Sequence, residues 1–286
     1  MKSYGELGFR ESLKSRSRRV IRVKVIRTKA RRAFSPTKIP GARWVINQYI
    51  GCQHACRYCY AKFMCKWYDY GKWGSWIIVR ENIPELVRGK YVVGKVYMSS
   101  ISDPYQPIEE KLELTKKILE NMNKRIKISI LTKSDLVLRD VELFKRFKNI
   151  EVGLTVNGFE ESVKNDLEPY SPSIRRRVDA LKRLYESGIK NYAFISPIIP
   201  KLTDVEKIIA DTRGFVTYYF FEFLNFRAAG AEFRRFLRDK YWEAYEVTSN
   251  RDRFERYVKD MIKVIRKSVV KVGGICLHYP KFIVLN

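Results

Sequence analysis

The sequence predicts an α/β fold built on a parallel sheet. Three observations carry that prediction. β-type runs alternate with stretches of helical periodicity along most of the chain, and such alternation marks a parallel sheet with helical crossovers. At 286 residues the chain is long enough for one large domain with a full core. The residues that look chemically active fall just after β-type runs, where parallel α/β folds place their sites. This pattern fits an open doubly wound sheet or a partial barrel.

Taken in order, residues 1–40 read as a basic arm, within which residues 20–26 alternate enough to add an edge strand. Strands are expected over 44–50, 95–101, 127–132, 151–156, 192–199 and 216–224. Helical stretches are expected near 57–68, 108–122, 140–147, 173–187 and 203–212. Leu112, Ile118, Leu119 and Met122 share one helical face, as do Val178, Leu181, Leu184 and Tyr185. Gly188 is placed to end the second of these helices. After residue 230 the pattern turns helical and charged, with a long helix over 251–268 and a short strand over 275–279. The organisation expected is an arm (1–40), a catalytic α/β unit (41–228) and a helical C-terminal extension with a final strand (229–286).

Composition narrows the function. No segment approaches the roughly 20 apolar residues of a membrane helix. The most apolar stretch, 216–226, carries Glu222 and Asn225. The first residues lack the apolar core of a signal peptide, so a cytoplasmic location is expected, with no membrane partner. Fifty-seven Lys and Arg against thirty-one Asp and Glu give a net charge of +26. Residues 1–40 alone hold thirteen of those cations and only two acids, Glu6 and Glu11. Such an excess repels itself in the compact state unless a polyanion neutralises it, which points to nucleic acid ahead of other anionic partners. Adaptation to heat would explain the density of charge but not its sign.

Five cysteines is an odd number, and three of them crowd into Cys52-Gln53-His54-Ala55-Cys56-Arg57-Tyr58-Cys59. A disulfide framework would spread its cysteines along a shorter secreted chain. Three thiolates spaced C-x3-C-x2-C can hold three corners of an iron–sulfur cubane and leave the fourth iron open. The competing reading is a four-cysteine zinc site completed by Cys65, but this spacing is not that of a zinc knuckle.

The C-x3-C-x-aromatic-C loop, with Tyr58 before the third cysteine, resembles the radical S-adenosylmethionine (SAM) superfamily. That resemblance implies a partial (β/α)6 TIM-like barrel, a [4Fe–4S] cluster on Cys52, Cys56 and Cys59, and SAM bound at the open iron. It further implies an electron donor and cleavage of SAM to a 5′-deoxyadenosyl radical. Further segments resemble the spore photoproduct lyase-like branch, often labelled DNA repair photolyase. They are Asn47-Gln48-Tyr49-Ile50-Gly51-Cys52, Ser102-Asp103-Pro104-Tyr105-Gln106-Pro107, Leu131-Thr132-Lys133, Glu168-Pro169 and Ser196-Pro197-Ile198-Ile199-Pro200, with Leu202-Thr203-Asp204 after the last. The resemblance runs from about residue 30 to 225. It places SAM contacts at Ser102 and Thr155 near the methionyl amino group, at Lys133 near its carboxylate, and at Tyr58, Tyr60 and Ser196 around the adenine, and counts Asp103 among the cofactor-binding residues.

One departure matters. The lyases of that branch carry a hydrogen-donating cysteine immediately before this serine–aspartate pair, and this chain has Ile101 there. Spore photoproduct repair is therefore not expected. Cys276, beside Gly273-Gly274, is the candidate replacement donor, against its plainer reading as a small core residue. His54 is expected to face solvent or cap the cluster, and His278 carries little signal. Arg175, Arg176 and Arg177 either grip phosphates or cover a helix surface.

Three functions remain. The first is radical modification or repair of nucleic acid, with RNA slightly favoured over DNA because the thymine-repair donor is missing. The 14% aromatic content could supply stacking surfaces for unpaired bases. The second is radical modification of a protein or peptide, which leaves the basic arm unexplained. The third is a nucleic-acid-binding protein with a structural metal site.

Overall fold

The computed structural model describes residues 4–7, 23–269, 271–278 and 283–285, the first and last of these segments as backbone alone. In chain order the strands are β1 (Tyr4–Leu7), β2 (Val23–Thr28), β3 (Ser35–Pro36), β4 (Trp44–Ile46), β5 (Tyr49–Ile50), β6 (Trp76–Arg80) and β7 (Lys95–Met98). They continue with β8 (Lys127–Thr132), β9 (Ile150–Thr155), β10 (Asn191–Ile198), β11 (Tyr218–Phe223), β12 (Val272–Leu277) and β13 (Ile283–Leu285).

Strands β4, β7, β8, β9, β10, β11 and β12 run parallel, each beside the next. They form a nine-stranded sheet in the order β13-β12-β11-β10-β9-β8-β7-β4-β3, with β3 and β13 antiparallel at its edges. The order does not return on itself, so the barrel is partial. Its open edges are blunted: β3 is two residues long and contains Pro36, and β13 is three.

Period-2 alternation sets which side chains face inward. Along β11, Tyr219, Phe221 and Phe223 are buried in the main core, while Tyr218, Phe220 and Glu222 face the concave cavity. Along β10, Ala193 and Ile195 do the first job and Tyr192, Phe194 and Ser196 the second. Outside, helix Ile174–Glu186 buries Ala180, Leu181 and Leu184 on the sheet, and Ser173 caps it by accepting from Arg176 N at 3.3 Å. Asp204 and Asn250 cap helices Val205–Thr212 and Arg251–Ser268 in the same way.

Three expectations change, besides a break at Glu113 (φ +50°) that divides the helical stretch 108–122. The run 44–50 is not one strand. It divides at Asn47, whose Oδ1 accepts from Ser100 N at 2.8 Å, and Gln48, which is fully buried and donates to Thr115 Oγ1 at 2.8 Å. β4 stays in the large sheet, whereas β5 pairs antiparallel with β6. These polar anchors carry the chain from one sheet to the other just before the cysteines. The second change concerns the arm. Val23–Thr28 is no edge strand but lies between β1 and β6 in a second sheet, ordered β1-β2-β6-β5. Its Ile26 packs with Ile50, Met64, Trp76 and Ile78 beneath the cysteine loop. Residues 8–22 of the arm lie outside the described residues. The final strand is longer than expected at its start, beginning at Val272, and Tyr279 lies outside the described residues.

Gly153 on β9 shows how tightly the concave face is packed: a Cβ there would sit 2.2 Å from the Tyr192 ring. Gly153→Ala should therefore destabilise the fold by about 1–3 kcal/mol through overpacking, measured by urea denaturation. Wild-type stability in this variant would mean that Tyr192 can move away freely.

Candidate active site

The cysteine loop leaves β5 at Gly51, whose φ of +89° and close approach to β6 exclude a side chain: a Cβ would lie 2.5 Å from the Trp76 carbonyl oxygen. Beyond Cys59 the chain forms a 3-10 helix over Tyr60–Lys66. Between these points the loop has no strand or helix, and side chains from later segments hold it. Gln106 Oε1 accepts from Gln53 N at 2.9 Å, and Gln53 Oε1 accepts from Ile108 N at 2.6 Å. The Ser102 hydroxyl donates to the Gly51 carbonyl at 2.7 Å and accepts from Gln106 Nε2 at 2.8 Å.

Two buried carboxylates complete the frame. Asp103 Oδ1 accepts from Tyr105 N at 2.8 Å and Thr132 Oγ1 at 2.6 Å, and Oδ2 accepts from Lys133 N at 2.8 Å. His54 Nε2 lies 3.2 Å from Oδ2 without the alignment of a hydrogen bond. Burial opposes ionisation of Asp103, yet His54 and these donors hold its carboxyl below the usual range. His54 is thus buried against Asp103, at 1% exposure, so of its two expected placements the solvent-facing one is wrong.

Glu168 is fully buried. It accepts from the Tyr58 hydroxyl, Asn157 Nδ2 (2.9 Å), Ser171 Oγ (3.1 Å) and the guanidinium of Arg177, itself fully buried. Lys133 Nζ stands 4.0 Å away. Burial would raise the Glu168 carboxyl, but Arg177 and Lys133 pull it down to about 2. Arg177 therefore neither grips phosphate nor covers a surface. Arg176 pairs with Asp135 at 2.7 Å, and Arg175 is exposed.

Beside this frame opens a cavity of about 720 Å³ along the concave face of the sheet, from Lys95, Glu151 and Tyr218 near the strand starts to Lys133, Thr155 and Ser196 toward their C-terminal ends. Its wall brings together Cys52, Cys56, Cys59, Tyr58, Tyr60, Ser102, Asp103, Lys133, Thr155, Ser196 and Cys276, every site residue expected from the sequence. The roles they can play differ. The hydrogen-bonding capacity of Ser102 and Asp103 is directed into the loop frame, so both position the cysteines. Lys133 offers a cation, and Tyr58, with its hydroxyl fixed on Glu168, offers a ring face. On the strands that follow, Glu222 accepts from the Ser196 hydroxyl and contacts His278 Nε2 at 2.9 Å, while Cys276 pairs in register with it across β11 and β12. Burial, with Glu222 adding to it, pushes the Cys276 thiol up to about 12.

The donor set fits an iron–sulfur cluster with a polar ligand beside it. All three loop cysteines are free thiols facing one cavity. Burial pushes the Cys56 thiol up to about 12, against the pull of Lys133, so a bound cation must supply the charge that ionises it. Among the described residues no three Cys, His, Asp or Glu side chains gather round one point as a single metal ion requires. A cubane, which puts each thiolate on a separate iron, makes no such demand. Cys65 does not face the cavity and packs beside Met64 and Trp76 instead. Ser99 Oγ, on the cavity wall, is buried with no partner, as expected of a group that bonds to a ligand.

Sequence reasoning missed the Gln53–Gln106 latch, the Glu168–Arg177 pair and the Glu222–His278 contact. Glu168-Pro169 and Arg177 were visible as motif and charge, but nothing local showed that they meet. No helix among the described residues is long and apolar enough to cross a membrane.

Comparison with known proteins gives a consistent result. Residues 46–212 match the family model described as the radical SAM superfamily. An uncharacterized protein of Methanocaldococcus jannaschii is 58% identical over 257 residues, covering 90% of this chain and 99% of its own. An uncharacterized protein of Acidianus two-tailed virus is 28% identical, covering 73% of this chain and 75% of its own. Among solved structures, a spore photoproduct lyase complexed with dinucleoside spore photoproduct aligns with a TM-score of 0.55 at 18% identity, covering 76% of this chain. The chain spans 66%, just under two-thirds, of that lyase. A mutant of the lyase aligns with a TM-score of 0.60 at 18% identity, covering 87% of this chain and 80% of the other. At these identities the likeness is one of fold.

The buried Glu168–Arg177 pair gives a test of the frame. Arg177→Met leaves Glu168 buried without its main partner and should cost about 3–5 kcal/mol in urea denaturation at neutral pH. Because the folded Glu168 carboxyl lies below its ordinary value of 4.5, its contribution is present above that pH and fades as pH falls toward about 2. The deficit of the variant should shrink over that same interval. A deficit independent of pH would show that lost packing, not charge, is responsible.

Proposed function

Since this chain belongs to the radical SAM superfamily, we propose that the substrate of this radical SAM enzyme is a nucleic acid. Enzymes of the superfamily bind a [4Fe–4S] cluster and SAM, which together supply a 5′-deoxyadenosyl radical that takes a hydrogen atom from the substrate. In this reading Cys52, Cys56 and Cys59 hold the cluster. Lys133 pairs with the methionyl carboxylate, a task that suits a cation fixed by Glu168 at a strand end. Thr155 and the partnerless hydroxyl of Ser99 offer hydrogen bonds to the methionyl amino group. Tyr58, Tyr60 and Ser196 wall the adenine. Ser102 and Asp103 act on the loop rather than on the ligand.

The observation that carries the substrate class is the charge. A cavity built for radical chemistry sits in a chain of net charge +26, with seven Lys or Arg within residues 1–22. Phosphate contacts release counterions, and a surface this basic gains affinity for nucleic acid of any sequence. The lyase of similar fold has been solved with a dinucleoside photoproduct, which lends the class support. Ile101 stands where that branch carries its hydrogen-donating cysteine, so the reaction is not spore photoproduct repair. In this reading Cys276 gives a hydrogen atom instead. It lines the cavity, and burial keeps its S–H intact at neutral pH.

Cys56→Ala should lower bound iron and abolish 5′-deoxyadenosine release in anaerobically reconstituted protein, while nucleic-acid affinity stays within about twofold because no phosphate contact is lost. Loss of binding together with iron would favour a structural metal site. Replacing Arg16, Arg18 and Arg19 by serine should weaken duplex binding and reduce the slope of log affinity against log salt by about 0.9 per phosphate contact removed. An unchanged slope would remove the arm from the interface.

A further inference from the structure

Beside the mouth of the cavity three aromatic rings stand in a row. Tyr60, Phe63 and Trp67 are 50%, 37% and 72% exposed, which is unusual for side chains of this size. They are consecutive contacts: the rings of Tyr60 and Phe63 stack with centroids 6.4 Å apart, and those of Phe63 and Trp67 meet edge to face at 5.3 Å. Tyr60 and Phe63 lie one 3-10 turn apart on the helix Tyr60–Lys66, and Trp67, four residues after Phe63 at the C-terminal end of that helix, continues the row through its edge contact with Phe63. The other side of the helix buries Ala61 and Met64, so the row is not a displaced piece of core.

The inner end of the row is fixed. The Tyr60 hydroxyl donates to the Ser100 carbonyl, and the Tyr60 ring lines the cavity together with Cys59 and Ala61. The outer end, Trp67, projects into solvent. Charge accompanies the row in sequence: Lys62 and Lys66 stand on either side of Phe63 within the helix, while Arg57 is turned to the Asp166 carbonyl and the Phe236 ring. Lys62 lies 3.6 Å from the exposed Glu232, and Lys66 is exposed between Phe63 and Trp67.

We infer that Phe63 and Trp67, packed outward from Tyr60, form a stacking platform that delivers an unpaired nucleotide of a single-stranded nucleic acid to the cavity. The inference rests on the nucleic-acid reading above and narrows it to unpaired segments. Exposed rings interleaved with cations match the two parts of a single strand, base faces and phosphates, and stacking accepts any base because every base has a π face. A paired base has both faces covered by its neighbours and cannot use the platform. An apolar protein segment would bury the same rings, but it would not call for the cations between them.

The test is fluorescence polarisation with labelled single-stranded RNA and DNA oligonucleotides of mixed sequence and their duplexes, on the full chain. Trp67→Ala should weaken single-strand binding about tenfold or more and duplex binding less than about twofold, with the single-strand salt slope unchanged because no phosphate contact is lost. Trp67→Phe, which keeps a ring, should restore most of the affinity. Trp67→Leu, which is apolar without a π face, should not. Equal losses on single strands and duplexes overturn the platform, as does leucine performing as well as phenylalanine, which would mark an apolar protein-docking surface. Wild-type protein that binds nucleic acid while Trp67→Ala and Phe63→Ala bind single strands equally well overturns the platform alone. Wild-type protein that binds no nucleic acid overturns the reading beneath it as well.

Discussion

Two buried carboxylates give the cysteine loop its shape. The loop from Gly51 to Cys59 has no ladder or helix of its own, and it must still present three thiols to one cavity. Asp103 reaches it from the end of β7, against His54, and binds the end of β8 through Thr132 and Lys133. Glu168 reaches it through Tyr58 and joins it to helix Ile174–Glu186 through Arg177. Removing a carboxylate from water costs several kcal/mol unless its oxygens are satisfied. Here each oxygen of both groups has a partner, so only a closely defined arrangement of the surrounding segments is stable. Segments up to 110 residues apart in sequence are tied to the loop in this way.

The same frame sets the electrostatics of the cavity. Lys133 is held charged between Glu168 and the Tyr58 ring, with its ammonium 5.8 Å from the ring centroid. Its backbone N–H is committed to Asp103, so the strand end that carries it cannot drift. Glu222, Ser196 and His278 form a second polar group beside Cys276. On the same two strands, Tyr192 and Phe194 precede Ser196, and Tyr218 and Phe220 precede Glu222, so the cavity wall leading up to this group is aromatic. Such walls limit water, which strengthens every charge interaction inside and protects reactive species.

Most of the sheet was legible because parallel strands with helical crossovers leave two clean periods. The long helix Arg251–Ser268 is where its spacing puts it, and β8 spans the expected residues. The second sheet was hidden. β6 is a near-continuous apolar run beside a glycine- and tryptophan-rich loop, and nothing in its own sequence says that it pairs with β2 rather than with the barrel. The division of 44–50 was hidden for a related reason. It depends on Asn47 and Gln48 finding Ser100 and Thr115, more than fifty residues away. The site residues were legible as motifs, yet their tasks were not all legible. Ser102 and Asp103 read as ligand contacts, but the hydroxyl and the carboxylate face the loop. His54 looked uninformative until its buried partner was known. Motifs report which residues share a site, while the direction of each polar group follows from distant partners.

The most direct test of this account is release of 5′-deoxyadenosine by the anaerobically reconstituted, reduced protein, with and without RNA or DNA. The account predicts release that rises when one of the nucleic acids is present, and the one that stimulates it names the substrate class. Release indifferent to both would contradict the nucleic-acid assignment and leave the radical chemistry standing. No release from an intact, reduced cluster would contradict the reading of the cavity itself.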